Sequence, residues 1–256
     1  MKDDEARPSG PAPGTYRLDI MDELCRLYAG GLGGRVPWRR RWRFLRKRFS
    51  WSLVVAGARF VKRLVDVVAA AGLLVALSPL FGLVALCIKL TDGGPVFFRQ
   101  TRVGRWGREF PFPKFRSMVV NAERLKDSLL TVSDHGQGVT FKMKRDPRIT
   151  TIGRIIRKLS IDELPQLWCV LKGDMSLVGP RPPVPREVAL YTLADRRRLD
   201  VIPGLTCIWQ VSGRADIPFD RQVELDVAYI QSQSFWVDVK LLLKTIPAVL
   251  LGRGAY

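Results

Sequence analysis

LVDVVAAAGLLVALSPLFGLVALCI, Leu64 to Ile88, is the stretch on which the fold turns. Its one formal charge is Asp66, near the N-terminal end. About 20 apolar residues suffice to cross a bilayer core, so hydropathy alone reads a single membrane helix. Ser78-Pro79 falls in the middle and argues against that. Proline removes a backbone donor and clashes with the preceding turn, so the helix should kink or break there. The arms left on either side, roughly 15 and about 10 residues at about 1.5 Å each, are separately too short for a core of about 30 Å. Both flanks are basic: Arg59, Lys62 and Arg63 before, Lys89, Arg99, Arg102, Arg105 and Arg108 after. A spanning helix would leave one of these flanks on the wrong side of the positive-inside rule. A re-entrant helix that bends at Ser78-Pro79 keeps both in the cytoplasm, with the Ser78 hydroxyl a candidate partner for the backbone groups freed at the bend. On these residues the re-entrant form is favoured, and a kinked span or a buried soluble helix stays open.

The charge of the whole chain fits a membrane-side role. Across 256 residues, 42 Lys and Arg face 24 Asp and Glu, a net charge of +18. Such an excess suits nucleic acid, anionic lipid or a phosphorylated substrate. The densest run, RVPWRRRWRFLRKRFSW (Arg35 to Trp51), interleaves cations with Trp38, Trp42, Phe44, Phe49 and Trp51 directly before the apolar segment. That is the composition of a membrane interface rather than of a nucleic-acid arm. Cys25, Cys87, Cys169 and Cys207 show no paired spacing and read as reduced thiols, not a zinc site or disulfide framework. A single histidine, His135, excludes histidine triads and multi-histidine metal sites within one chain. Residues 1–15, rich in Pro, Gly and charge, read as a disordered tail rather than a signal peptide.

Past the turn Thr91-Asp92-Gly93-Gly94-Pro95, a hairpin is expected: Val96–Thr101, a turn at Gly104 to Gly107, then Glu109–Phe115. Pro111 and Pro113 confine the second strand to an edge. Helices are expected over Val119–Leu130, Thr151–Lys158, Arg186–Leu199, Phe219–Gln231 and Trp236–Leu251. A polar loop is expected at Thr131–Gly138 and a loop-rich segment at Val201–Arg214. The last helix is apolar enough to lie on a bilayer, though core packing suits it better. The fold class is α+β and mostly helical. A basic, disordered extension (1–50) leads into the broken membrane helix (51–92). A catalytic domain follows (93–256), with a small β-hairpin and amphipathic interfacial helices.

The chemistry sits in RKLSIDELPQLW, Arg157 to Trp168. Asp162 and Glu163 precede Leu-Pro, which places them near a helix start, where unpaired N–H groups and the dipole favour anions and metal-bound phosphate. Arg157, Lys158 and Arg181 (in GDMSLVGPRPP, Gly173 to Pro183) suit a polyanion. One carboxylate is then available as nucleophile and one as metal ligand. Each motif alone is weak, since an Asp-Glu pair is usually solvated surface and Gly-Pro-Arg-Pro is often only a rigid turn.

The order of motifs is more telling. KRLVD, the apolar SP segment, GGPVFFRQTRVGRWGREFPFPKFRSM, DPRITTIGRIIRKLSIDELPQLWCVLKGDMSLVGPRPP, PGLTCIWQVSGR and LDVAYI follow one another from Lys62 towards Tyr256. This succession closely resembles the bacterial sugar transferases, the monotopic phosphoglycosyl transferases acting on polyprenyl phosphate, in a compact form similar to exopolysaccharide-initiating members. The resemblance implies transfer of a sugar-1-phosphate from a UDP-sugar to undecaprenyl phosphate with release of UMP, Mg²⁺ dependence and a re-entrant helix at Ser78 and Pro79. It also implies a catalytic domain on the cytoplasmic face of the bacterial inner membrane, the lipid bilayer and downstream glycosyltransferases as partners, and no nucleic acid. Carried over residue by residue, it makes Asp162 the nucleophile and Glu163 the Mg²⁺ ligand. Lys114, Arg116, Arg157 and Arg181 match its phosphate-binding cations, and Gln210 and Arg214 fall near the nucleotide. Cys169 and Cys207 stand where asparagine and glycine are usual. The competing readings are a basic membrane-anchored scaffold or nucleic-acid binder, an inactive transferase relative, and direct transfer without a covalent intermediate; the acidic pair counts against the first two, and the third stays open.

Overall fold

The computed structural model describes residues 38–122, 125 and 146–251. Two compact units, Met1–Arg59 and Phe60–Tyr256, divide the chain. Helix α1 runs Trp38–Ala76 and helix α2 Ser78–Asp92. Residues 38–50 are therefore helical, against the expectation of a disordered extension. The run after Pro37 contains no glycine or proline until Gly57, and nothing in it breaks a helix. The helix expected at Val119–Leu130 lies largely outside the described residues. Residues 1–37, the loop Thr131–Gly138 and His135 lie wholly outside them.

The chain bends at Ser78-Pro79 for the expected reason. Pro79 has no N–H to give to the carbonyl of Val75, four residues back. The Ser78 hydroxyl donates to that carbonyl instead, at 2.8 Å. On either side the helical bonds resume, Leu77 N–H to Leu73 and Phe81 N–H to Leu77, both 2.9 Å. The pair is bent by 58°. Among the described residues no single helix is long and apolar enough to cross a membrane, although the bent pair passes that test together. Gly93 ends α2 in the left-handed conformation (φ 69°), donating to the Lys89 carbonyl at 3.0 Å.

Strands β1 (Phe97–Val103) and β2 (Glu109–Phe115) form the expected antiparallel hairpin, in register from Phe97 opposite Phe115 to Val103 opposite Glu109. Residues directly opposite share a face. One face therefore carries Phe98, Gln100 and Arg102 beside Lys114, Phe112 and Phe110. With only two strands, both are edges, and Pro111 and Pro113 leave no ladder bond missing.

Helix α3 (Thr151–Lys158) starts as predicted, with the Thr150 hydroxyl accepting from Gly153 N–H at 3.0 Å. A 3₁₀ turn, Ile161–Gln166, leads into α4 (Leu167–Lys172). Strand β3 (Ser176–Val178) then pairs in parallel with β4 (Gly204–Thr206), a second sheet the sequence did not announce. The crossing is tight: a side chain on Gly204 would run into the backbone of Gly179. The helix expected over Arg186–Leu199 is instead two pieces, α5 (Pro185–Ala189) and a 3₁₀ turn at Asp195–Leu199. Thr192 and Asp195 explain the split by capping each other. Thr192 N–H donates to the Asp195 carboxylate at 2.8 Å, and Asp195 N–H donates to the Thr192 hydroxyl at 3.3 Å. Helices α6 (Ile208–Ser212), α7 (Phe219–Ser232) and α8 (Phe235–Leu251) complete the fold.

The main core joins Ala70 of α1 to Phe110, Phe112, Leu167, Val170, Met175, Leu177, Val178, Tyr229 and Leu241. A second cluster sets Val84 and Ile88 of α2 against Phe115 and Ile156. Polar ties reinforce the first. Lys62 donates to Asp238 at 2.5 Å and Arg63 to the carbonyls of Val170 and Leu171 at 2.5 and 2.8 Å. Asp66, the charge inside the apolar segment, is buried and accepts from Leu177 N–H at 3.1 Å. Helix α8 gives Leu241 to the core and leaves Phe235, Trp236, Leu243 and Ile246 exposed on other faces, so both roles weighed for it have a surface.

Candidate active site

Asp162 and Glu163 occupy the first turn of the 3₁₀ segment, whose entry residue Ser160 is left-handed (φ 54°). The turn packs against β2, and this brings the acidic pair to Lys114. Glu163 Oε1 accepts from Lys114 Nζ at 2.8 Å and from Arg181 at 2.5 Å, and its Oε2 accepts from the same guanidinium at 3.1 Å. Glu163 is thus gripped by a two-pronged arginine and a lysine. Asp162 is treated differently. It is 7% exposed, and among the described residues no side-chain hydrogen bond reaches its carboxyl.

The electrostatics of the two neighbours diverge accordingly. Burial pushes the Asp162 carboxyl up to about 6; Lys114 opposes the shift and Glu163 adds to it. Burial also pushes Glu163 upward, but Arg181 and Lys114 overcome it and hold that carboxyl well below the usual range. For Arg181, the pull of Glu163 outweighs burial and raises the guanidinium further. Burial lowers Lys114 in spite of Glu163.

One cavity of about 1030 Å³ is lined by Asp162, Glu163, Lys114, Arg116, Arg157, Arg181, Gln210 and Arg214, whereas Lys158, also read as suiting a polyanion, is not in its wall. Arg157 comes from the last turn of α3 and Arg181 from the loop after β3. Arg116 follows β2, is paired with Asp92 at the end of α2, and fills the space a side chain on Gly94 would need. Gln210 on α6 accepts from the Cys207 thiol at 3.1 Å. Arg214 takes a left-handed backbone (φ 53°) beyond α6. Ser78 and Pro79 are not in the cavity wall; their part is the bend.

Three cavity-wall arginines were not among the predicted site residues. Arg102 lies on the hairpin face that carries Lys114. Arg148 is buried and holds Asp146. Arg198 donates to Asp226 at 2.7 Å and to the Tyr191 hydroxyl at 3.1 Å. Arg102 falls just past the strand expected to end at Thr101, and the observed strand, which runs on to Val103, is what brings it onto this face. Nothing local marked the other two.

Among the described residues no cluster of three or more His, Cys, Asp or Glu could cage a metal. Mg²⁺ does not need such a cage: one or two carboxylates, water and substrate phosphates are its usual shell. Glu163, kept ionised in the cavity wall, is a carboxylate of that kind.

A helical protein with a bent apolar helix pair, a small hairpin and a cation-lined cavity around an acidic pair is the class the geometry defines. The family profile described as bacterial sugar transferase matches residues 57–252, and the chain belongs to that family. It is 52% identical over 214 residues to "Galactosyl transferase CpsE" of Streptococcus agalactiae, covering 82% of this chain and 45% of that protein. It is 45% identical over 213 residues to "Undecaprenyl-phosphate galactose phosphotransferase" of Salmonella typhimurium, covering 82% and 44%. It is 43% identical over 198 residues to "Exopolysaccharide production protein ExoY" of Sinorhizobium fredii, covering 76% and 88%. The chain thus spans somewhat under half of the first two relatives and most of the third.

Proposed function

We propose that this protein transfers a sugar-1-phosphate from a UDP-sugar to undecaprenyl phosphate, releasing UMP and starting an exopolysaccharide or glycoconjugate repeat unit for downstream glycosyltransferases. The observation that carries the reading is the contrast inside one cavity. Asp162 is a desolvated carboxyl with no hydrogen-bond partner among the described residues, beside a Glu163 clamped by two cations. An unsolvated carboxylate is a competent nucleophile once aligned on an electrophilic phosphorus. An Asp162 oxygen attacks the donor's β-phosphorus, the bond from that phosphorus to the bridging oxygen breaks, and UMP leaves with the electron pair. A phosphosugar is then joined to Asp162 as an acyl phosphate. An acceptor phosphate oxygen attacks the same phosphorus, the bond from that phosphorus to the Asp162 oxygen breaks, and the carboxylate is regenerated. Lys114, Arg116, Arg157 and Arg181 offset the phosphate charge of donor and acceptor, and Gln210 and Arg214 lie on the nucleotide side. Glu163 would hold Mg²⁺, which neutralises diphosphate charge and favours UMP as a leaving group. The names of the relatives favour galactose or glucose as the sugar.

The acceptor's phosphate lies at a bilayer surface, so the site belongs there too. We place the broken helix of residues 51–92 in the membrane as a re-entrant hairpin, with the cavity on the cytoplasmic face of the bacterial inner membrane. Basic residues on both sides of the bend support this. Cysteines introduced at Ser52 and Arg99, in a background lacking the native ones, should react with an impermeant reagent from the same side; labelling from opposite sides would mean a span.

The activity test is UMP release from protein in nanodiscs with undecaprenyl phosphate and a panel of UDP-sugars, with and without chelator. Release with one donor, lost with chelator and in Asp162→Asn, is expected. Failure of labelled donor to mark Asp162 in a single turnover without acceptor would remove the covalent step.

A further inference from the structure

Arg102 is a cation of this cavity that forms no ion pair with any described residue. It sits on β1 opposite Phe110, on the hairpin face that also bears Lys114. Both cations lean on one ring: the Arg102 guanidinium lies 5.2 Å from the centroid of Phe112 and Lys114 Nζ 5.5 Å from it. One guanidinium nitrogen donates to the Pro182 carbonyl at 2.9 Å, next in sequence to Arg181. No ion pair forms on Arg102 among the described residues, and its Nε is buried without a hydrogen-bond partner. A buried donor left unmet is an expense that folding alone does not explain. Burial and the nearby Arg181 lower this guanidinium to about 10 against the opposing pull of Glu187 and Glu163, so the protein holds two like charges close together in a buried place. With Lys114 and Arg181 already sharing Glu163, the cavity keeps positive charge in excess of its own carboxylates. A polyanion relieves that excess.

Position along the hairpin says which polyanion. The Lys114 end abuts α2: Phe115 stacks on Phe97 (5.2 Å) and takes Phe81 of α2 edge-on (5.4 Å). Arg102 lies four residues beyond Phe98, about 13 Å further along at about 3.3 Å per residue. We propose that Arg102 is a further phosphate-binding residue of this site, and that it contacts the diphosphate of the water-soluble nucleotide donor rather than the phosphate of the lipid acceptor. The inference rests on the transferase reading for its donor and acceptor.

Calorimetric titration of UDP into the purified full chain tests it without requiring turnover. Arg102→Gln should weaken UDP binding by about 10- to 100-fold, the range of one charge-assisted hydrogen bond. Arg102→Lys should recover part of it, since the charge returns without the planar fork. Arg105→Gln removes the same charge from the exposed hairpin turn and should stay within about twofold of wild type. If Arg102→Gln melts early, Arg102→Lys with an unchanged melting profile decides. UDP affinity unmoved by either Arg102 variant, an equal loss in Arg105→Gln, or a wild type that does not bind UDP each overturns the proposal. So does a larger shift in the half-saturating concentration of undecaprenyl phosphate than of donor. A wild type that binds UDP but releases no UMP from any UDP-sugar sinks the transferase reading instead, and the titration still decides Arg102.

Discussion

Two buried acid–base clusters invite comparison. In one, Asp162 and Glu163 meet Lys114 and Arg181 in the cavity wall. In the other, Asp226 on α7 meets Arg198 at 2.6–2.7 Å, behind Tyr191 and Phe219. Burial pushes Asp226 up to about 6, the same place to which it pushes Asp162. The shift alone therefore does not distinguish a reacting carboxyl from a structural one. Their surroundings differ: Asp226 is fully enclosed and held by a guanidinium, whereas Asp162 borders the cavity with no hydrogen-bond partner among the described residues.

The widest separation should come from paired amide variants. Asp162→Asn should lower UMP release by about 10³-fold or more. It should also raise stability at neutral pH by roughly 1–3 kcal/mol, because an unpaired buried charge disappears. Asp226→Asn should do the reverse, keeping measurable turnover while losing about 3 kcal/mol as Arg198 is left charged and enclosed. Urea melts and initial rates on the same samples check both. Equal stability changes of one sign would collapse the distinction.

Glu163→Gln should resemble both at once. Lys114 and Arg181 lose their common anion, so stability falls by about 3 kcal/mol, and activity falls by about 10²-fold.

The pH dependence sharpens the contrast further. Below about 6 the Asp162 carboxyl is protonated and cannot attack, so kcat/KM for the donor should rise with pH through that value. Stability should move the other way. Both Asp162 and Asp226 have carboxyls raised to about 6 in the folded chain, against about 3.9 unfolded. The folded state therefore binds more protons between those values, and unfolding free energy drops as pH climbs through the window. Asp162→Asn should remove its share of that slope and leave the share of Asp226. Tyr191→Phe is the mildest probe: Arg198 loses one hydroxyl acceptor, about 1 kcal/mol, with turnover nearly unchanged.

Local chemistry made some of this legible beforehand. Ser78-Pro79 dictates the bend because proline removes one specific donor. The hairpin follows from β-formers interrupted by Gly104 and Gly107. The acidic pair stood out against a strongly basic chain. What escaped depends on distant partners. Strands of three residues at Ser176 and Gly204 are too short to show alternation, and they pair across a long separation. Thr192 capping Asp195 cuts a helix that amphipathic spacing alone would continue. Arg198 is informative only when Asp226, on another helix, is beside it.

The ties between α1, α2 and the rest bear on how the protein can be handled. A chain begun at Val96 to obtain a detergent-free catalytic piece would strip Ala70, Val84 and Ile88 out of both clusters. It would also deprive Arg116 of Asp92 and Leu177 of Asp66. Such a truncation exposes raw core, and its expected fate is aggregation rather than a free enzyme. Purification has to carry the bent helix along.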